Sequence, residues 1–133
     1  MKSYTDIEQS KKLAEILPIE SADNVIVSFG DRDGVKTVVI PSETLDIIRT
    51  PFSDIREIVT CWSLAALLDI LSETAHSIDE DGSVDLCDYK NIEWSLCLNN
   101  TSVGLFTENN PVDACVKMVV KLHELNLLQL WEI

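Results

Sequence analysis

The side chains able to carry chemistry are four cysteines, two histidines and a dense set of carboxylates. Cys61, Cys87, Cys97 and Cys115 are separated by 25, 9 and 17 residues, so no Cys-x-x-Cys pair is present to seed a zinc site or a redox dithiol. A cysteine hydrolase needs a thiolate activated by a nearby imidazole, and the imidazoles on offer are His76 and His123. Cys115 and His123 are eight positions apart, which on one helix is about 12 Å of rise, too far for a direct hydrogen bond. Cys97 falls on the polar side of an alternating segment, and Cys61 adjoins Trp62 outside any catalytic signature. No phosphate-binding glycine loop, His-Glu-x-x-His helix or nucleophile-elbow serine occurs. Reduced, mostly buried thiols are the expectation, with no catalytic residue and no cofactor; a small Cys/His hydrolase is the enzymatic alternative.

The carboxylates gather in one region. Residues 69–93 hold Asp69, Glu73, Asp79, Glu80, Asp81, Asp85, Asp88 and Glu93 against Lys90 alone, a net −7 in a chain of −13. A solvated loop and strand edge kept unpaired by like charge is one reading. A surface for a basic partner is another, with Asp79, Glu80, Asp81, Asp85 and Asp88 as its contact residues. Asp79, Asp81, Ser83 and Asp85 also resemble the opening of a calcium loop, since hard cations take oxygens from alternate positions. Counting from Asp79, however, Gly82 falls at position 4 where position 6 needs glycine, and Lys90 occupies position 12 where a bidentate Glu is required. Asp79, Asp81 and Asp85 are therefore only weak metal candidates. The chain ends in Leu127, Leu128, Leu130, Trp131 and Ile133, an apolar stretch that should dock on the body or meet a partner, a second copy of the chain included. Leu128, Leu130 and Trp131 are its expected contacts.

The elements that must position these groups are legible from periodicity. Thr5 and Glu8 have capping-box spacing, and Ile7, Leu13, Ala14, Ile16 and Leu17 form an apolar face, predicting a helix over about 5–17 before Pro18. The β-branched runs 25–29 and 35–40 flank Gly30-Asp31-Arg32-Asp33-Gly34 and predict a hairpin. From Pro41 to Thr60 the apolar residues have no clean period and two prolines intervene, so this stretch reads as irregular or briefly helical. Ser63 can cap a helix over about 63–73, whose stripe is Leu64, Leu67, Leu68 and Leu71. Ile92, Trp94, Leu96 and Leu98 alternate with polar residues, the mark of a strand with one buried face. Short polar turns link it to strands near 83–89 and 101–107, a meander. Asn110, Pro111 and Asp113 open a final helix whose face is Val112, Cys115, Val116, Val119, Leu122 and His123, up to about Leu125. Trp62, Trp94 and Trp131 read as packing residues.

The fold class that follows is α+β: an antiparallel β-sheet, meander plus hairpin, packed by two to three α-helices, in a single domain spanning 1–133. At 133 residues with 46% hydrophobic residues there is too much to bury for disorder. The −13 balance argues against direct nucleic-acid binding and against docking on an anionic membrane. No uncharged apolar run nears the roughly 20 residues of a spanning helix, and Lys2, Asp6 and Glu8 do not suit a secretory leader; a cytoplasmic protein is expected. A protein partner is expected too, with inhibition of a basic nucleic-acid-binding protein by charge mimicry as an alternative.

The segments SYTDIEQSKKLAEILP (3–18), CWSLAALLDIL (61–71) and NPVDACVKMVVKLHEL (110–125) resemble a group of short uncharacterised proteins of Bacteroides-group gut bacteria, often within prophages or mobile elements. The resemblance implies a mobile-element accessory protein and assigns no chemistry to any residue. More remotely, Ser63 to Leu71, Trp94 and Pro111 to Val119 are similar in order to the phage ABA sandwich domain, a small helix-and-sheet module. Residues 24–60 depart from both patterns.

Overall fold

The computed structural model describes residues 2–31, 34–44, 55–78, 83–88, 92–98, 101–108 and 110–128, with side chains described at 2–30, 34–44, 55–74, 108 and 110–128. The fold is α+β with antiparallel sheets, and its contacts gather in two compact units: residues 4–63, and the described parts of 1–3 with 64–133.

The first unit is built on a hairpin. Strands β1 (Asn24–Asp31) and β2 (Gly34–Pro41) pair without interruption from Asn24 opposite Pro41 to Asp31 opposite Gly34. The strands run further than the flanking glycines suggest: Gly30 and Asp31 belong to β1, and the connection shrinks to residues 32–33, outside the described residues. Gly34 has φ 122, a backbone state that a side chain disfavours, which accounts for glycine there. Of the stretch 41–60, expected to be irregular or briefly helical, Ser42–Thr44 form a short 3-10 helix and 45–54 lie outside the described residues, but 55–60 belong to strand β3 (Ile55–Cys61), antiparallel to the other side of β1. The sheet order is β2-β1-β3. As the central strand, β1 buries both faces: Val25 and Val27 cluster with Ile40, Val38, Ile55 and Ile58, while Ile26 and Ser28 are buried on the other face.

Helix α1 (Ile7–Ala14) packs against β3 and buries Ser10 and Leu13, with Leu17 buried just beyond it; Ala14, expected on the apolar face, is exposed. Its N-cap is Asp6, not Thr5. Asp6 Oδ1 accepts from the Gln9 N–H at 2.8 Å and Gln9 Oε1 accepts from the Asp6 N–H at 3.1 Å, a complete capping box one residue later than expected.

The second unit is a meander with two helices. Strands β4 (Ser83–Asp88), β5 (Ile92–Leu98) and β6 (Thr101–Thr107) pair antiparallel in that order, with a register shift between Leu96 and Cys97. Helix α2 (Leu64–Ile78) contacts β4 and β5, helix α3 (Pro111–Glu124) contacts β5 and β6, and the helices touch each other. α2 is five residues longer than its leucine stripe suggests, and its buried face is rotated to Leu67, Ile70, Leu71 and Thr74, leaving Leu64 and Leu68 half-buried at its border. Thr74 tolerates burial because its hydroxyl donates to the Ile70 carbonyl one turn back, at 2.8 Å. α3 starts as expected: Asn110 Oδ1 accepts from the Asp113 N–H at 2.9 Å and Pro111 occupies the first turn. Its buried arc is wider than the predicted stripe, adding Ala114 and Met118, and His123 leaves it, being exposed in the last turn.

Candidate functional site

Of the acidic stretch, Asp69 and Glu73 are exposed one turn apart on α2, and neither meets a cation among the described residues. Like charges at this spacing cost a helix about 0.2–0.5 kcal/mol. Asp85 and Asp88 lie on β4, an outer strand of the meander, opposite Ser95 and Ile92, and Glu93 stands on β5 between Cys87 and Thr107. Asp79, Glu80 and Asp81 lie outside the described residues; of the calcium-loop pattern, Ser83 and Asp85 stand on β4. Among the described residues no three His, Cys, Asp or Glu side chains come together in a way that could hold a metal ion.

Two of the four thiols, Cys61 and Cys115, are among the described side chains, and both stand far from nucleophile chemistry; the side chains of Cys87, Cys97 and His76 lie outside them. Cys61 and Cys115 are both fully buried. Burial, with the negative charge of Asp23 adding to it, pushes the Cys61 thiol up to about 12, and burial alone does the same to Cys115. Since the thiolate is the reactive form, neither is available near neutral pH. Cys115 is turned into the core while His123, on the same helix, is exposed, so the helix separates the pair by face as well as by rise.

Two polar clusters have no signature in the sequence. Asp23 grips Ser63 with both carboxylate oxygens: Oδ1 accepts the Ser63 N–H at 2.9 Å, and Oδ2 accepts its hydroxyl. Partial burial raises the Asp23 pKa, but the bonds from the Ser63 side chain and backbone outweigh it and hold the carboxyl below its ordinary value. The second cluster surrounds Trp62, which is 0% exposed. Its indole N–H donates to Ser21 Oγ at 2.9 Å, and the Ser21 hydroxyl donates to the Pro18 carbonyl at 2.6 Å. Its backbone N–H donates to Thr5 Oγ1 at 3.1 Å, and Thr5 Oγ1 lies 2.8 Å from Ser10 Oγ. Nothing local marks these pairings, since Trp62 is 57 residues from Thr5.

At the C-terminal end, α3 closes in a Schellman motif. Asn126, with φ 57, donates its N–H to the His123 carbonyl at 3.0 Å, and the Leu127 N–H donates to the Leu122 carbonyl at 2.9 Å. The turn leaves Leu125 44% exposed and Leu127 and Leu128 half-buried; Leu130 and Trp131 lie outside the described residues. Asparagine after a helical run was the available signal. At the other end of α3, Lys2 Nζ donates to Asp113 Oδ1 at 2.8 Å, and Lys117 pairs with Glu108.

Comparison with protein-family models, with curated proteins and with solved structures finds no match to this chain. Among the described residues no helix is long and apolar enough to cross a membrane.

Proposed function

We propose that this chain is a non-enzymatic interaction module that engages a basic protein partner through the carboxylates of residues 69–93, with the apolar segment from Leu125 onward as a second contact. The observation that carries this reading is the net −7 of that stretch, which includes an exposed like-charge pair, Asp69 and Glu73, on one face of α2. Such a pair disfavours the helix slightly, so its presence is better accounted for by a cation brought from outside than by stability. The high thiol pKa values at Cys61 and Cys115 support a binding role over cysteine chemistry. Accessory duty in a phage or mobile element is the setting we infer from the resemblance of residues 3–18, 61–71 and 110–125.

A second reading, favoured by the same charge density, is inhibition of a nucleic-acid-binding protein by mimicry of phosphate charge. Both readings predict electrostatic capture that weakens as salt rises. The test is affinity capture from cell extract at low and high salt, with the wild-type chain beside the variant Asp79→Asn, Glu80→Gln, Asp81→Asn, Asp85→Asn, Asp88→Asn. A partner lost both on neutralisation and at high salt supports the acidic surface, and displacement of that partner by DNA or RNA selects the mimic. Capture indifferent to neutralisation and to salt refutes the acidic surface and leaves the apolar segment as the contact.

A further inference from the structure

The two outer strands of the β2-β1-β3 sheet are finished differently. β3 carries charged residues, Arg56 and Glu57; it has a register shift against β1 at Ser28/Phe29 and it packs against α1, with Lys11 paired to Glu57 at 3.3 Å. Bulges, charges and a covering helix are the ordinary means of closing a sheet edge to further strands. β2 has an unbroken register along all 8 residues, and no described strand lies on its outer side.

Its outward groups can be assigned. The Ser42 N–H donates to the Asp23 carbonyl at 3.1 Å, so 23/42 is a hydrogen-bonded pair, and antiparallel alternation makes 25/40, 27/38 and 29/36 the next ones. Val35, Thr37 and Val39 therefore turn their N–H and C=O groups away from β1. Their side chains are exposed as well, Val35 by 58% and Val39 by 36%, while Val38 and Ile40 join the cluster on the opposite face. Pro41 is next in the outward series and has no N–H, so the open ladder stops there.

We propose that the β2 edge pairs antiparallel with the β2 edge of a second copy of this chain, about a two-fold axis at Thr37, joining two three-stranded sheets into one. The edge is self-complementary in that register. Thr37 meets Thr37, Val35 meets Val39 of the second copy, and about six backbone hydrogen bonds form. Lys36, the strand's single charge, stands opposite Val38 and not opposite itself. No carboxylate lies in β2, although the chain carries 23. This association is distinct from the acidic surface and opposite in salt response: two copies of charge −13 repel, so added salt tightens the pair. An interface of one strand pair is small, so it is read at about 0.1–1 mM protein.

The test is sedimentation of the full chain across that range at low and high salt, with amide hydrogen exchange on the same samples. The expected result is reversible dimerisation strengthened by salt, with exchange at Val35, Thr37 and Val39 slowed on concentration. Thr37→Lys, at an exposed position, sets like charges opposite one another and should weaken the dimer about tenfold or more at unchanged melting temperature. A chain that stays monomeric at about 1 mM overturns the proposal, as does a dimer whose three edge amides exchange at the monomer rate. Those wild-type readouts stand whether or not the variant folds, and their failure leaves the salt-weakened binding of a basic partner untouched.

Discussion

Thr5 and Trp62 hold each other through two hydrogen bonds of opposite direction: the Thr5 N–H donates to the Trp62 carbonyl at 3.0 Å, and the Trp62 N–H donates to Thr5 Oγ1 at 3.1 Å. Both residues are buried, with Thr5 1% exposed and Trp62 fully enclosed. This pairing explains the displaced helix cap. A threonine whose hydroxyl is engaged with Trp62 and Ser10 cannot also cap α1, and Asp6 takes that role.

Thr5→Val keeps the shape and deletes the acceptor, stranding the buried Trp62 N–H and the Ser10 hydroxyl. A loss of about 1–3 kcal/mol is expected in urea unfolding, with Thr5→Ser close to wild type. Asp6→Ala, which removes the exposed cap, should cost about 1 kcal/mol. The reverse ranking would refute the larger share given to the buried Thr5–Trp62 pairing.

The Asp23 carboxyl has its pKa depressed in the folded chain, so the folded state favours the carboxylate more than the unfolded state does. Its contribution is fully present above the unfolded value and is lost as pH falls through the folded one. Asp23→Asn should therefore destabilise at neutral pH and converge on wild type in acid. Thermal melts across that window check this; a difference between the two proteins that is constant with pH would refute the linkage.

Cys61 and Cys115 should resist alkylation in the native protein at mildly alkaline pH and react fully in denaturant, because both are buried and protonated with pKa values near 12. Mass spectrometry of iodoacetamide-treated peptides reads the two sites separately. Native labelling of either at the rate of a free thiol would reopen the nucleophile reading.

Asn126 holds the left-handed position of the Schellman motif, where a β-carbon without a local polar group is disfavoured. Asn126→Ala should cost about 1 kcal/mol and Asn126→Gly little or nothing. Equal denaturation midpoints for all three proteins would mean that the turn contributes nothing to stability.

The elements legible in the sequence are those whose signals are local. Asn110, Pro111 and Asp113 specify the start of α3 within four residues, because cap, fixed φ and dipole complement all act inside one turn. The alternation from Ile92 to Leu98 likewise reads as β5, since a strand with one apolar face needs no knowledge of its neighbour to be recognised. β3 was hidden for the opposite reason. Ile58, Val59 and Thr60 are all half-buried beside a hydrogen-bonding edge that β1 supplies from about thirty residues upstream, so no alternation marks them and a distant strand sets their extended form. The same distinction decided α1. Two overlapping capping boxes, Thr5 with Glu8 and Asp6 with Gln9, are equivalent locally, and Trp62 selects between them by occupying the threonine hydroxyl. The acidic stretch was visible by counting, because charge adds up whatever the fold. The burial that silences Cys61 and Cys115, and the outward edge of β2, are properties of neighbours brought together only by tertiary packing.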